Sequence, residues 1–332
     1  MTRSIFIILL LILILSAGVF LLADAILRIL PSESLPVHWA YKIEEKKIHC
    51  WHWETKTIRL CPDVQAELLH PLGYRFRIAT NDRGERITLI QNGLYKNSEI
   101  WVIGDSLSMG YGVNDEESFP YLLSQMGFSV RNLASDSLGA ADIFRILEYE
   151  LQNLETKENF SYPLAVFWIF SRSDFLDDRK KKSYFKFILG KISPVFNILR
   201  AELERAQLAR DANDYKEYWR EEYHPPEPDH PTLVSIRALQ EICQEKGIRA
   251  IVLLVPDWNP ILDRAVLETE YFQFIRNFFQ DSRYELIDFT EAYRRRSGEI
   301  LWIPNDGHPN ASAHRLFAEF SAKNMRKVLD QK

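Results

Sequence analysis

The sequence predicts an α/β protein: a three-layer α/β/α sandwich on a mainly parallel sheet, preceded by a transmembrane helix and a small β-rich accessory segment. Three observations predict it. From Glu99 onward, short apolar runs alternate with stretches whose apolar residues recur at helical spacing, the rhythm of a parallel sheet covered by helices. The strand-like runs, such as Pro163 to Phe170, are apolar along their length, as strands buried on both faces must be. The chain also opens on an apolar stretch of bilayer length, Ile5 to Ala23, interrupted only by Ser16 and Gly18.

The elements follow in chain order. As a helix, Ile5 to Ala23 reaches roughly 28 Å, close to the thickness of a hydrocarbon core. Ala23-Asp24-Ala25 resembles a signal-peptidase site, but the apolar run exceeds the roughly 7 to 15 residues of a signal peptide, which favours a retained anchor. Arg3 would hold the short end inside, although Arg28, Lys42, Lys46 and Lys47 on the far side weaken that charge argument. The body is then expected in the periplasm or outside the cell. The expected organisation is residues 1–30 as anchor or uncleaved signal, 31–97 as accessory segment, and 98–332 as main domain with a helical insertion at 179–231.

Pro31 and Pro36 end the first helix, and short β-like pieces follow. In the stretch around Cys50 and Cys61, two short strands flank a turn at Glu54 to Lys56, which can bring the sulfurs together as a disulfide in an oxidising compartment. Two separate half-buried thiols are the alternative. The spacing with His49 and His52 does not match the common zinc patterns. Asn81-Asp82-Arg83-Gly84 is a turn signal between strands. Cys243 reads as a buried helix thiol.

From Glu99 to Ile103 a strand feeds a tight turn at Gly104, and a helix ends at Gly127. A strand from Phe128, a helix from Ala140 and the strand at Pro163 to Phe170 continue the rhythm. The insertion begins with Arg179-Lys180-Lys181-Lys182, is charged and helical through Tyr223, and ends proline-rich. Its basic start and the aromatics Tyr184, Phe185 and Phe187 suit a lid, an anionic glycan or lipid headgroups; a solvated helix end is the plainer reading. A helix from Thr232, a strand from Ile248, a helix around Tyr271 to Phe279, a strand at Tyr284 to Phe289 and a last helix from Ala311 to Leu329 complete the pattern. With 332 residues, 46% of them hydrophobic, the chain can bury one large core plus extensions. Its net charge of −5 provides no basic field for nucleic acid.

The chemistry concentrates in two places. Gly104-Asp105-Ser106 stands between a strand and a helix, with Gly110 and Gly112 beyond, so the serine hydroxyl falls at the carboxyl end of the sheet. Near the other end, Asn305-Asp306-Gly307-His308-Pro309-Asn310 precedes the last helix. The first stretch resembles the GDS-x-x-x-G-x-G block of the SGNH (GDSL-type) hydrolases, and the second resembles that family's last block. The resemblance covers roughly residues 74 to 329 and implies a flavodoxin-like fold and hydrolysis of carboxylic esters without metal or organic cofactor. Ser106 would be the nucleophile, His308 its base and Asp306 the carboxylate orienting the base, although many relatives have the aspartate where this chain has Asn305.

Two intermediate blocks depart from the family pattern. Asn132 to Asp142 resembles the second block, but its oxyanion-hole glycine falls on Ser137; Ser173, before Asp174, holds the place of the third block's asparagine. The expected oxyanion donors are therefore the N–H groups of Ser106 and Ser137 and the hydroxyl of Ser173. A backbone donor at 137 survives the side-chain change if the turn does not demand positive φ. An anchored enzyme would meet O-acylated envelope glycans first and lysolipid esters second. The alternatives are an exopolysaccharide O-acyltransferase and a catalytically weakened glycan-binding module, with oligomeric state left open.

Overall fold

The computed structural model describes residues 2–89, 95–178, 182–210, 225–259, 264–266, 269–296 and 298–329. The basic start of the insertion at 179–181 and its charged stretch at 211–224 lie outside the described residues. The chain divides into two compact units: Met1–Ile48, Leu68–Arg75 and Lys182–Asn213 form one, and His49–Glu67, Phe76–Lys181 and Asp214–Lys332 the other.

The first unit begins with α1 (Thr2–Ile29), in which Ile5–Ile29 has a mean hydropathy of 3.3 and is long and apolar enough to cross a membrane. Pro36 does not merely break this helix. It starts another, α2 (Val37–Ile48), accepting from the N–H of Trp39 and Ala40. Ala40, Glu44 and Ile48, one turn apart, face inward. Two helices from the insertion, α7 (Tyr184–Ile192) and α8 (Pro194–Arg210), belong to this unit with α1 and α2 rather than forming a separate excursion. Ser193 ties the elbow between them to Asp24 of α1, donating its hydroxyl at 2.7 Å.

The second unit holds the sheet. The accessory strands are β1 (His49–His52) and β2 (Thr57–Leu60), paired antiparallel, then β3 (Gln65–Leu69) and β4 (Arg75–Ala79), of which the stretch Leu68–Arg75 is counted with the first unit. After β4, the Asn81 to Gly84 turn leads to a single bridge, Thr80 to Arg86, rather than a full second strand. The main strands are β5 (Tyr95–Ile103), β6 (Phe128–Asn132), β7 (Ala165–Phe170), β8 (Arg249–Leu254) and, after the small β9 (Asp257–Asn259) and β10 (Arg264–Val266) pair, β11 (Glu285–Asp288). All neighbours are parallel, in the order β11-β8-β7-β5-β6. The first strand therefore lies between the second and third, a flavodoxin-like order whose switch point falls between β5 and β7.

Alternation along the strands builds the two cores. Val166, Trp168 and Phe170 pack toward α5 (Ala140–Glu155), α9 (Pro231–Glu245) and α10 (Glu270–Gln280). Ala165, Phe167 and Ile169 face the opposite way, toward α4 (Phe119–Gln125) and the last helix, α12 (Ala311–Leu329), with the short α11 (Thr290–Arg294) before it. Both faces of the sheet are thus covered, which is why its strands are apolar throughout. The remaining short helices, α3 (Ser106–Met109) and α6 (Ser173–Asp178), follow β5 and β7 and open the switch-point crevice.

Candidate active site

Ser106 is the first residue of α3, immediately after the sharp turn out of β5. Asp105 caps that helix, its carboxylate accepting from Leu107 N–H at 2.9 Å. Gly104 adopts φ +132, and a Cβ there would lie 2.2 Å from Ser108 Oγ, so only glycine fits. Ser108 has its own duty: its hydroxyl accepts from the N–H of Ile169 at 3.1 Å and pins α3 to β7.

His308 arrives from the loop before α12. An antiparallel bridge between Trp302 and Pro309 closes this loop, Ile303 N–H donates to the His308 carbonyl, and the Asn310 side chain caps α12 at Ala313 N–H. Asn305 and Gly307 take positive φ inside it. The imidazole Nε2 lies 2.9 Å from Ser106 Oγ, and Nδ1 is hydrogen-bonded to Asp306 Oδ1. The same carboxylate oxygen also accepts from His308 N–H at 3.2 Å, a local turn that holds the two residues in register. Residues 202 positions apart are thereby brought together with a carboxylate behind the base. Tyr111 packs its ring 4.7 Å from the imidazole.

Electrostatics favour the imidazolium. Burial works against a charge on His308, but the Asp306 hydrogen bond and the negative charges of Asp306, Asp105 and Asp136 outweigh it and raise its pKa above the ordinary value. Burial also pushes Asp105 up to about 6, against the Ser173 hydrogen bond, and raises Asp174, with the Asp105 charge adding to it.

The structure gives the two substituted positions distinct outcomes. Ser137 sits at φ +59, so this turn demands the left-handed region that a glycine would occupy without strain. Its N–H and that of Ser106 make no hydrogen bond among the described residues. Ser173, the first residue of α6, donates its hydroxyl to Asp105 at 2.5 Å and shares a second contact with Ser171 Oγ, also 2.5 Å. Its single proton is thus committed to Asp105 rather than held ready for an oxyanion. Asp174 accepts from Ser171 N–H at 3.0 Å. Asn132 bridges Met109 O and Ala134 N–H, joining the end of β6 to the turn after α3.

Several supporting residues were not apparent in the sequence. Arg86 is fully buried and clamps the segment after the serine, donating to Asp115 at 2.7 Å, Val113 O at 2.7 Å, and the Met109 and Gly110 carbonyls. In the sequence Arg86 stands two residues beyond the Asn81 to Gly84 turn signal, with nothing local to mark its long-range partners. Gly110, at φ +91, lies against this guanidinium, and Gly112 takes φ +81. His49, from β1, holds Asp136 at 2.6 Å, one residue before Ser137. Asp178 accepts from Ala141 N–H at 3.0 Å and caps α5, and a Cβ on Gly139 would collide with it. Cys50 and Cys61 are joined, with 2.03 Å between sulfurs, at the ends of the β1–β2 hairpin.

No family model matches this chain, and no curated protein matches it. Solved structures align with it at low identity. The psychrotrophic esterase EstA from Pseudoalteromonas sp., inhibited by monoethylphosphonate, aligns over 70% of this chain and 100% of its own, at 15% identity and a TM-score of 0.41. A putative lipolytic protein of the G-D-S-L family from Desulfitobacterium hafniense aligns over 68% and 99%, at 16% identity and a TM-score of 0.41. The lipase/acylhydrolase from Enterococcus faecalis aligns over 70% and 96%, at 13% identity and a TM-score of 0.41.

Proposed function

We propose that this chain is a membrane-anchored serine esterase acting outside the cytoplasm. The observation that carries the reading is the 2.9 Å approach of His308 Nε2 to Ser106 Oγ, with Asp306 on the far nitrogen, at the switch point of a parallel sheet. In the neutral tautomer that Asp306 selects, Nδ1 carries the proton and Nε2 presents its lone pair to the serine. Nε2 takes the hydroxyl proton as Oγ bonds to the ester carbonyl carbon. The carbonyl oxygen becomes an oxyanion beside the N–H groups of Ser106 and Ser137. Collapse breaks the bond to the alcohol oxygen, which leaves with the proton from His308. Water then repeats the sequence on the acyl-enzyme, its proton passing through the same nitrogen.

The reading needs no metal or organic cofactor. The apolar α1 supports an anchored location, and the Cys50–Cys61 bond supports an oxidising one. An O-acylated envelope glycan is the substrate class we favour, because an anchored enzyme meets such esters first. The test is turnover of p-nitrophenyl acetate by the full chain in detergent, beside Ser106→Ala. Wild-type turnover that vanishes in the variant supports the reading; equal turnover removes Ser106 as nucleophile.

One observation favours a second reading. With the Ser173 hydroxyl spent on Asp105 and Ser137 strained, the oxyanion hole has lost a side-chain donor, as in a module that binds acylated glycan and cleaves it slowly. Removing one such donor typically costs about a hundred- to a thousandfold in rate. Ser173→Asn, alone and with Ser137→Gly, should raise turnover if this defect limits the rate. Unchanged turnover excludes it.

A further inference from the structure

The first unit contains a cleft of about 320 Å³ that the ester chemistry does not use. It lies where the bilayer-length helix ends, and its wall is divided by chemistry. Leu27 and Leu30 from the end of α1, Leu35 beyond it and Ile43 of α2 make the apolar part. Arg28, Lys46, Lys47 and Lys191 bring positive charge, the other lining residues outside the apolar part are neutral, and no acidic residue is among the lining.

Four cations around one small space repel each other. The pKa of Lys191 is lowered, first by burial and then by the charge of Lys46. Asp24 accepts from Arg28 Nε at 2.9 Å, and Arg28 also donates to the Ile192 carbonyl, so this guanidinium is held in place. Lys46 and Lys47 have no carboxylate partner among the described residues. Such an arrangement is stabilised by an anion. Around it the surface is apolar: Ile29 is 81% exposed and Ile192 55% exposed, beside the exposed Leu30. Those side chains are comfortable at a membrane surface and costly in water.

We propose that this cleft binds the headgroup phosphate of an anionic phospholipid, with the lysines and Arg28 on the phosphate and the glycerol end against the leucines. The volume fits a headgroup and leaves no room for acyl chains, which would run back into the bilayer beside α1. A choline headgroup would add a cation where four already meet. The site is independent of the esterase reading and rests on α1 as a membrane-spanning helix.

The test uses the full chain in dodecyl maltoside, with bound lipid counted by native mass spectrometry. Dioctanoyl phosphatidylglycerol should bind saturably at one site, and dioctanoyl phosphatidylcholine should not. Each ammonium near anionic lipid contributes a roughly fivefold factor, so Lys46→Gln with Lys191→Gln should weaken binding about 25-fold. Lys46→Arg, which keeps the charge, should bind like wild type. Unweakened binding in the double glutamine variant, or equal binding of the choline lipid, overturns the proposal. Displacement of the lipid by equimolar inorganic phosphate also overturns it, identifying a soluble phosphate ester as the ligand. Carbonate extraction of membranes tests the anchor separately: loss of α1 anchorage releases the wild type, whereas loss of the lipid site alone leaves the double variant membrane-bound.

Discussion

Replacing Asp306 by asparagine changes one oxygen for nitrogen and probes the base directly. In the wild type, Asp306 is hydrogen-bonded to His308 Nδ1, which on the proposed mechanism selects the productive tautomer, and it raises the imidazole pKa against the effect of burial. Asparagine is neutral and can present its NH₂ to Nδ1, which favours the tautomer with the proton on Nε2, facing Ser106. By analogy with buried triad carboxylates, kcat should fall about ten-thousandfold. The pH dependence should move as well. On the proposed mechanism, wild-type kcat/KM should rise as His308 loses its proton, with a midpoint above the ordinary imidazole value of 6.5, because the folded pKa is raised. In the variant, burial remains while the largest opposing interaction is gone, so the midpoint should shift to lower pH. Stability runs the other way: the charged His308–Asp306 interaction is fully present below pH 6.5 and is lost as pH rises through the raised folded pKa. The assay is kcat/KM for p-nitrophenyl acetate from pH 5 to 9. A variant with activity within threefold of wild type and a superimposable profile would refute Asp306 as the orienting carboxylate.

Three further outcomes follow from the supporting framework. Arg86→Met leaves Asp115 and several buried carbonyls without their guanidinium, and should destabilise the second unit by about 3–5 kcal/mol in thermal or denaturant unfolding; a loss under about 1 kcal/mol would show the clamp to be dispensable. Ser137→Gly relieves a left-handed serine at φ +59 and should stabilise the fold by about 1 kcal/mol or less, after the entropy cost of glycine, as read from the urea midpoint. A clear loss of stability would mean that the serine side chain contributes more than the strain costs. Replacing Cys50 and Cys61 together by alanine opens a loop with a sequence separation of 11 and should cost about 3 kcal/mol; unchanged stability with and without reductant would argue that the bond does not form.

The nearby residues also tie the turns around Ser106 to one another. Asp105 caps α3, carries a raised pKa and receives the Ser173 hydroxyl, so the start of α6 is tied to the turn out of β5. His49 does the same for the turn before Ser137 through Asp136, reaching in from a hairpin closed by a disulfide. The accessory strands thus buttress the turn bearing Ser137.

Much of this was written in local pattern. The apolar period of β7 and its neighbours determined a doubly covered parallel sheet, because a strand with no polar face has nowhere else to go. Glycines at 104, 110 and 112 marked turns that only glycine tolerates, and the resemblance of the stretches around Ser106 and His308 to two blocks of a hydrolase family pointed to the pair we propose as nucleophile and base. Position 137 was legible as a departure, but its positive φ was not, since a serine carries no mark of the dihedral its turn imposes. Tertiary structure alone decided what long-range contacts decide: that Arg86 crosses into the loop after the serine, that the hydroxyl of Ser173 turns to Asp105, and that α7 and α8 join α1. Periodicity reports how a segment meets water and core along its own axis. It carries no record of which distant group will satisfy a buried donor, and that choice is made only when the chain closes on itself.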